Sequence, residues 1–167
     1  MDSLLLQGKW RLRAHGRSLV LAKRAGEKPS HVWLKGLLWA LYLPHYPNIL
    51  VEVALGHRYK PDLVSFAQDY QRCPQARPVF WAEAGQVTLD KLASLVRQFP
   101  DTHFAVAKWG PLGNWENHLE QLLQSSRLRN RFDLLNFQGE SPLQYLDPKG
   151  SIAVSLDQVL VKRWGTP

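Results

Sequence analysis

The segment 29–44, PSHVWLKGLLWALYLP, constrains the fold more than any other stretch of the chain. Proline sets both of its ends. Pro29 suits the first turn of a helix, and Pro44 cannot continue one. Leu34, Leu37, Leu38 and Leu41 recur at helical spacing, while Trp33, Trp39, Ala40 and Tyr42 spread the apolar surface beyond one stripe. A helix apolar around most of its circumference must be covered on most sides. The chain therefore has to supply a sheet broad enough to bury it. Lys35 and Gly36 break the run Val32–Leu43, which falls short of the ~18 apolar residues needed to span a bilayer.

The rest of the sequence supplies that sheet. Lys9 to Ala14 alternates apolar and basic residues with the period of two of a half-buried strand. His15-Gly16-Arg17 is the expected turn, and Ser18 to Lys23 the returning strand of an N-terminal hairpin. After the helix come two apolar strands, near Ile49–Leu55 and Tyr59–Ala67, joined at Gly56-His57-Arg58. The polar stretch QDYQRCPQAR leads to a third strand, PVFWAEAG. Val87 to Phe99 predicts a second helix, with Thr88 as N-cap and Asp90 in its first turn. THFAVAKWG is a fourth strand, Asn114 to Ser125 a third helix, and RFDLLNF and SIAVSLDQVLVKRW are later strands, with a turn at Pro148-Lys149-Gly150. This order predicts one α/β domain over 1–167, a mixed β-sheet flanked by helices, with N-terminal and C-terminal β-hairpins. No repeat, linker or low-complexity stretch divides it.

Charge narrows the partner. Lys and Arg number 21 against 14 Asp and Glu, a net +7 that favours an anionic partner, most simply nucleic acid. Seven basic residues, Arg11, Arg13 and Arg17 among them, lie between Lys9 and Lys28 against the single acid Glu27. A second cluster is Arg127, Arg129 and Arg131, with Asp133 and Glu140 close by in sequence. These two clusters, with Lys60 and Lys108, are the candidate nucleic-acid contacts; the bland alternative for each is solvated surface, or an edge-strand charge for Lys108. The lone Cys73 excludes a disulfide framework and a cysteine zinc cluster, and suits a reducing, cytoplasmic compartment. The six histidines show no metal-ligand spacing. The first residues carry no pattern of a cleaved leader. Trp33, Trp39 and Trp81 fit core positions, whereas Trp10 and Trp109, beside charged neighbours, are more open.

Two acids stand where apolar residues are expected. Asp62 lies in YKPDLVSFA and Glu83 in FWAEAG. A carboxylate in a buried strand costs several kcal/mol unless paired or metal-bound. Two of them on neighbouring strands are a candidate site for a hard divalent cation, Mg²⁺ or Mn²⁺, with Glu52 as a further ligand or as a partner of Arg58 or Lys60. Read alone, each of the two acids is a strand-end or rim residue.

The PD of one strand, and an acid 21 positions later near the end of the next, resemble the motif of the PD-(D/E)xK nuclease superfamily. The N-terminal hairpin, Glu27 ahead of the first helix, LKGLLWAL, FWAEAG and the IAVSL-type hairpin are similar to its YaeQ-like branch, over nearly the whole chain. The resemblance implies a restriction-endonuclease-like fold and metal-dependent hydrolysis of phosphodiester bonds in nucleic acid, DNA ahead of RNA. It assigns Asp62 and Glu83 to the metal and allows a homodimer, with no membrane partner. The superfamily's lysine belongs two residues after the second acid, where this chain has Gly85. Lys91, one turn into the following helix, is a displaced substitute or a solvated helix lysine, and Gln86 a second stand-in able to orient water. Without a substitute, the same fold would bind nucleic acid or protein and not cleave.

Overall fold

Alternation and a matching turn build the N-terminal hairpin of this computed structural model, which describes residues 8–69, 72–73 and 75–165. The residues from which the absence of a leader is inferred lie mostly outside that range, as does Pro74 beside Cys73. Strand β1 (Lys9–Ala14) pairs antiparallel with β2 (Arg17–Ala22). His15 and Gly16 both take positive φ, 50° and 71°, so the turn twists as paired strands do. Trp10, Leu12, Ala14 and Leu21 point inward onto helix α1 (Pro29–Tyr42). Trp10 is thus buried, edge-on to Trp33 with ring centroids 5.4 Å apart, and not open as its charged neighbours suggested. Gly36 permits this packing, because a Cβ there would lie 2.4 Å from a methyl carbon of Leu12.

The six-stranded sheet runs β3 (Leu50–Val51), β4 (Leu63–Phe66), β5 (Pro78–Ala84), β6 (His103–Trp109), β7 (Phe132–Phe137) and β8 (Leu160–Trp164), in that spatial order. Strands β5, β6 and β7 are mutually parallel, and the outer pairings are antiparallel. Helices α2 (Leu89–Gln98) and α3 (Trp115–Gln124) make the two parallel crossovers. Both pack on one face, where Leu92, Leu95, Val96, Leu119 and Leu123 meet Val64, Trp81, Phe104, Val106 and Phe132. Helix α1 covers the other face, over Phe80, Ala82, Ala84, Ala105, Ala107 and Leu135. Four of those six are alanines, which lets the bulky helix approach the sheet closely.

The expected mixed α/β sheet is therefore present, with corrections at its ends. The strands expected at Ile49–Leu55 and Tyr59–Ala67 shrink to two and four residues. Asp62 precedes β4 and stands at its mouth, not within it. The C-terminal hairpin reduces to one antiparallel bridge, Leu146 to Ile152, across the turn at 148–150. The final strand β8 pairs with β7 instead. Lys108 lies on β6, inside the sheet, so it is no edge-strand charge. Among the described residues no helix is long and apolar enough to cross a membrane.

Candidate functional site, a cleft at the strand ends

The parallel strands β5 and β6 end at Gly85 and Gly110, both with positive φ, where the chain turns away from the sheet. Beyond these ends lies a cleft of about 930 Å³. Carboxyl ends of parallel strands are the usual place for a ligand crevice in α/β sheets. Its walls carry Glu27, His31, Glu52 and Asp62, then Lys108, Trp109 and Trp115, with Arg24, Lys28, Lys60 and Gln86 also on its surface.

Helix α1 organises the acidic wall. Glu27, His31 and Lys35 stand four residues apart, so they align on one face of the helix and its N-terminal approach. Lys35 is fully buried, with Nζ 2.5 Å from Glu27 Oε1 and 2.6 Å from Glu52 Oε1. Glu52 reaches it from a left-handed backbone, φ 57°, while its N–H donates to the Asp62 carbonyl at 2.8 Å. A non-glycine residue held there costs on the order of 1–3 kcal/mol, so the clamp on Lys35 must outweigh that strain. Burial pushes the Lys35 ammonium down, but its two carboxylate partners outweigh burial and raise it. Burial likewise pushes Glu27 up, yet hydrogen bonds from Lys35 and from the Arg24 N–H hold it below the ordinary carboxylate range. The expected pairing of Glu52 with Arg58 or Lys60 is not what forms.

His31 Nε2 lies 3.4 Å from both Glu27 Oε1 and Asp62 Oδ1. The Asp62 carboxylate raises its pKa, with burial opposing. Asp62 Oδ2 in turn accepts the Ala84 N–H at 2.8 Å, which ties the mouth of β4 to the end of β5. Glu83 projects to the opposite face, alongside Trp81, and is not among the residues lining the cleft. Its Oε1 accepts the Trp81 indole N–H at 2.7 Å, and its Oε2 meets Lys91 Nζ at 2.7 Å. Burial, and then the Asp62 charge, push Glu83 up to about 7, against the pull of Lys91 and Trp81.

The structure thus pairs Glu83 with Lys91 and leaves Asp62 near enough for its charge to act on Glu83, but both Glu83 oxygens already have internal partners. Among the described residues no three His, Cys, Asp or Glu side chains are placed to share one ion. Glu52 points to Lys35, not into a common ligand set. The backbone at Gly85 disfavours the lysine of the nuclease motif. Its φ is 73°, and a Cβ there would sit 3.1 Å from His31 Nδ1. A different lysine stands beside it, since Lys108 Nζ donates to the Gly85 carbonyl at 3.1 Å and lies 3.8 Å above the Trp115 ring. Gln86 is exposed on the cleft surface.

Of the candidate nucleic-acid contacts, Lys60 and Lys108 line the cleft. Arg11, Arg13 and Arg17 lie on the exposed side of the hairpin, away from it. Arg13 and Arg17 donate to the Lys149 and Pro47 carbonyls. Arg129 is held by Asp101 through two 2.8 Å bonds, and Arg131 pairs with the buried Asp133 at 3.2 Å. Arg127 remains exposed and outside the cleft. Sequence reasoning passed over His31 and Lys35. The available signal was a lysine inside a helix that must be buried all round, four residues from a histidine and eight from an acid.

A mixed sheet with α1 on one face, two crossover helices on the other and a charged cleft at the strand ends defines an α/β protein. The YaeQ protein from Pseudomonas syringae superposes with a TM-score of 0.60 at 15% identity, over 82% of this chain and 74% of that one. The YaeQ protein from Xanthomonas axonopodis pv. citri is 20% identical, over 76% of this chain and 71% of that one, with a TM-score of 0.47. The first of these shows a YaeQ-like fold and nothing beyond the fold. No protein-family model and no curated protein matches the chain.

Proposed function

We propose that the chain is a nucleic-acid binding module that uses this cleft, on a fold it shares with the PD-(D/E)xK proteins but without their full catalytic set. One observation carries this reading. Two of the three acids that line the cleft already share an internal cation, whereas the lysines and arginine on its surface have no acid. Glu27 and Glu52 are held by Lys35, and Asp62 lies 3.4 Å from His31. Arg24, Lys28, Lys60 and Lys108 form no ion pair among the described residues, although all four line the cleft. Counting the buried Lys35, five cations face Glu27, Glu52 and Asp62, which leaves the cleft positive and suited to phosphates.

A second reading, metal-dependent hydrolysis of a phosphodiester, rests on Lys91. Its amine reaches the second acid of the motif from the following helix, as a displaced family lysine would. In that reading Asp62 and Glu83 hold Mg²⁺ or Mn²⁺, which would polarise the phosphate and activate water. Lys91 would have to release Glu83 first.

Titrating labelled single- and double-stranded oligonucleotides with the protein, at several salt concentrations, separates the readings. Binding with a log–log salt slope of about −3, as expected for roughly four neutralised phosphates, and an intact substrate in Mg²⁺ support the module. Cleavage that needs Mg²⁺ or Mn²⁺ and disappears in both Asp62→Ala and Glu83→Ala supports the second reading. Absence of salt-sensitive binding rejects the first.

A further inference from the structure

The part of the cleft that β6 supplies is built differently from the acidic cluster beside α1. Lys108 and Trp109 are consecutive on β6, so their side chains leave the strand on opposite faces. Both nonetheless line the cleft, because it crosses the end of the strand. Lys108 is half-buried, uses one carbonyl acceptor and has no carboxylate partner among the described residues. An ammonium has three donors, so a partly desolvated cation is left with donors to spare. Burial pushes it below the usual lysine range, which an anion seated against it would reverse.

Trp109 is fixed from behind. Its ring stacks on Phe137 with centroids 6.0 Å apart and planes 9° from parallel, and meets Tyr145 edge-on. Its indole N–H donates to the Gly139 carbonyl at 3.1 Å. An aromatic plane held this way loses little freedom when a second ring stacks on it.

We propose, building on the nucleic-acid reading, that the cleft takes a single-stranded segment, with one phosphate on Lys108 and a neighbouring base stacked on Trp109. Arg24, Lys28 and Lys60 then meet the phosphates that follow. A duplex satisfies this site poorly, because its base faces are already stacked on one another. Stacking on an aromatic side chain is indifferent to sequence, so little base preference is expected.

The test compares one sequence as single strand, as duplex, and as a strand carrying abasic positions, each titrated by fluorescence anisotropy. The wild-type protein should bind the single strand at least tenfold more tightly than the duplex or the abasic strand. Trp109→Leu keeps an apolar side chain against Phe137 and should weaken single-strand binding about tenfold, whereas Trp109→Phe keeps most of it. Lys108→Met should lower the salt slope by about 0.7. Equal affinity for the single strand, the duplex and the abasic strand overturns the stacking proposal and leaves nucleic-acid binding standing. The abasic comparison needs no variant, so it decides the matter even if a Trp109 variant fails to fold. No binding to any of the three removes the underlying reading as well.

Discussion

Helix α1 ties an ionic cluster to the sheet at each of its ends, and the two clusters differ in what faces them. At the C-terminal end, Tyr42 donates to Asp133 Oδ2 at 2.6 Å, and His103 Nε2 lies 2.9 Å from the same oxygen. The Tyr46 hydroxyl meets His103 Nδ1 at 2.7 Å. Arg131 and Arg163 approach Asp133 Oδ1 at 3.2 and 3.4 Å. Asp133 is fully buried, and burial pushes its pKa up, but His103 and Tyr42 outweigh that and hold it low. At the N-terminal end, Glu27, His31, Lys35, Glu52 and Asp62 use similar chemistry beside a large cleft. A carboxylate–histidine pair therefore does not mark a functional site by itself. Asp133 itself is fully buried and tied by Tyr42, His103 and two partly exposed arginines, with no large cleft beside it, so it acts as a fastener. The cleft cluster has solvent and unpaired cations in front of it.

The largest expected effect tests that contrast. Asp133→Ala removes the acceptor of Tyr42 and the counter-charge of two arginines. It should destabilise the fold by about 3–5 kcal/mol in denaturant unfolding, while oligonucleotide affinity of the protein that remains folded is unchanged. A loss of affinity at constant fold would place function at the wrong end of α1.

Next is a pH effect, of about 3 kcal/mol at roughly 1.4 kcal/mol per tenfold change in proton affinity. Folded Glu83 keeps its proton up to about pH 7, whereas an unfolded carboxyl releases it near 4.5. Between those values the unfolded state binds fewer protons, so stability should fall as pH rises through the window. His31 acts in the same direction. Its raised pKa gives stability that is full below pH 6.5 and lost as pH rises through the folded value. Unfolding free energies of Glu83→Gln, measured from pH 4.5 to 7.5, should show a flatter profile. A wild-type stability that climbs across that window would contradict the assignment.

The smallest effect is expected at Lys35. Lys35→Met strands two carboxylates, but both keep some contact with water, so a cost of about 2 kcal/mol is expected, below that of a fully buried pair. The same change makes the cleft more acidic and should weaken oligonucleotide binding at low salt. Asp133→Ala and Lys35→Met thus separate a fastener from a fastener that also tunes a site.

The parts of this fold set by periodicity were legible in the chain. The buried helix, the alternating hairpin and the strand–helix–strand crossovers follow from residue spacing that the structure repeats. Less legible were features set by meetings distant in sequence. Trp10 looked open because its neighbours are charged, yet alternation sends them outward and Trp10 inward. Glu52 seemed placed for Arg58 or Lys60, but a left-handed backbone turns it to Lys35 on α1. Asp62 and Glu83 were expected on neighbouring strands; Glu83 lies in β5, but Asp62 stands just ahead of β4. That their partners would be an Ala84 N–H, a Trp81 indole and Lys91 depends on register and on where α2 starts, which spacing alone does not fix. The basic clusters were visible as charge, but the bidentate pairing of Arg129 with Asp101 across 28 positions was not.

Whether the cleft or the basic hairpin binds nucleic acid is the question on which the account rests. Two charge-neutralised proteins, Lys28→Gln with Lys60→Gln in the cleft and Arg11→Gln with Lys9→Gln on the hairpin, carry the same loss of charge. Their affinities for one single-stranded oligonucleotide, measured across a salt series, decide it. The cleft pair should lose affinity and about 1.4 from the magnitude of the salt slope, and the hairpin pair should stay near wild type. Loss confined to the hairpin pair, or equal loss in both, would contradict the account.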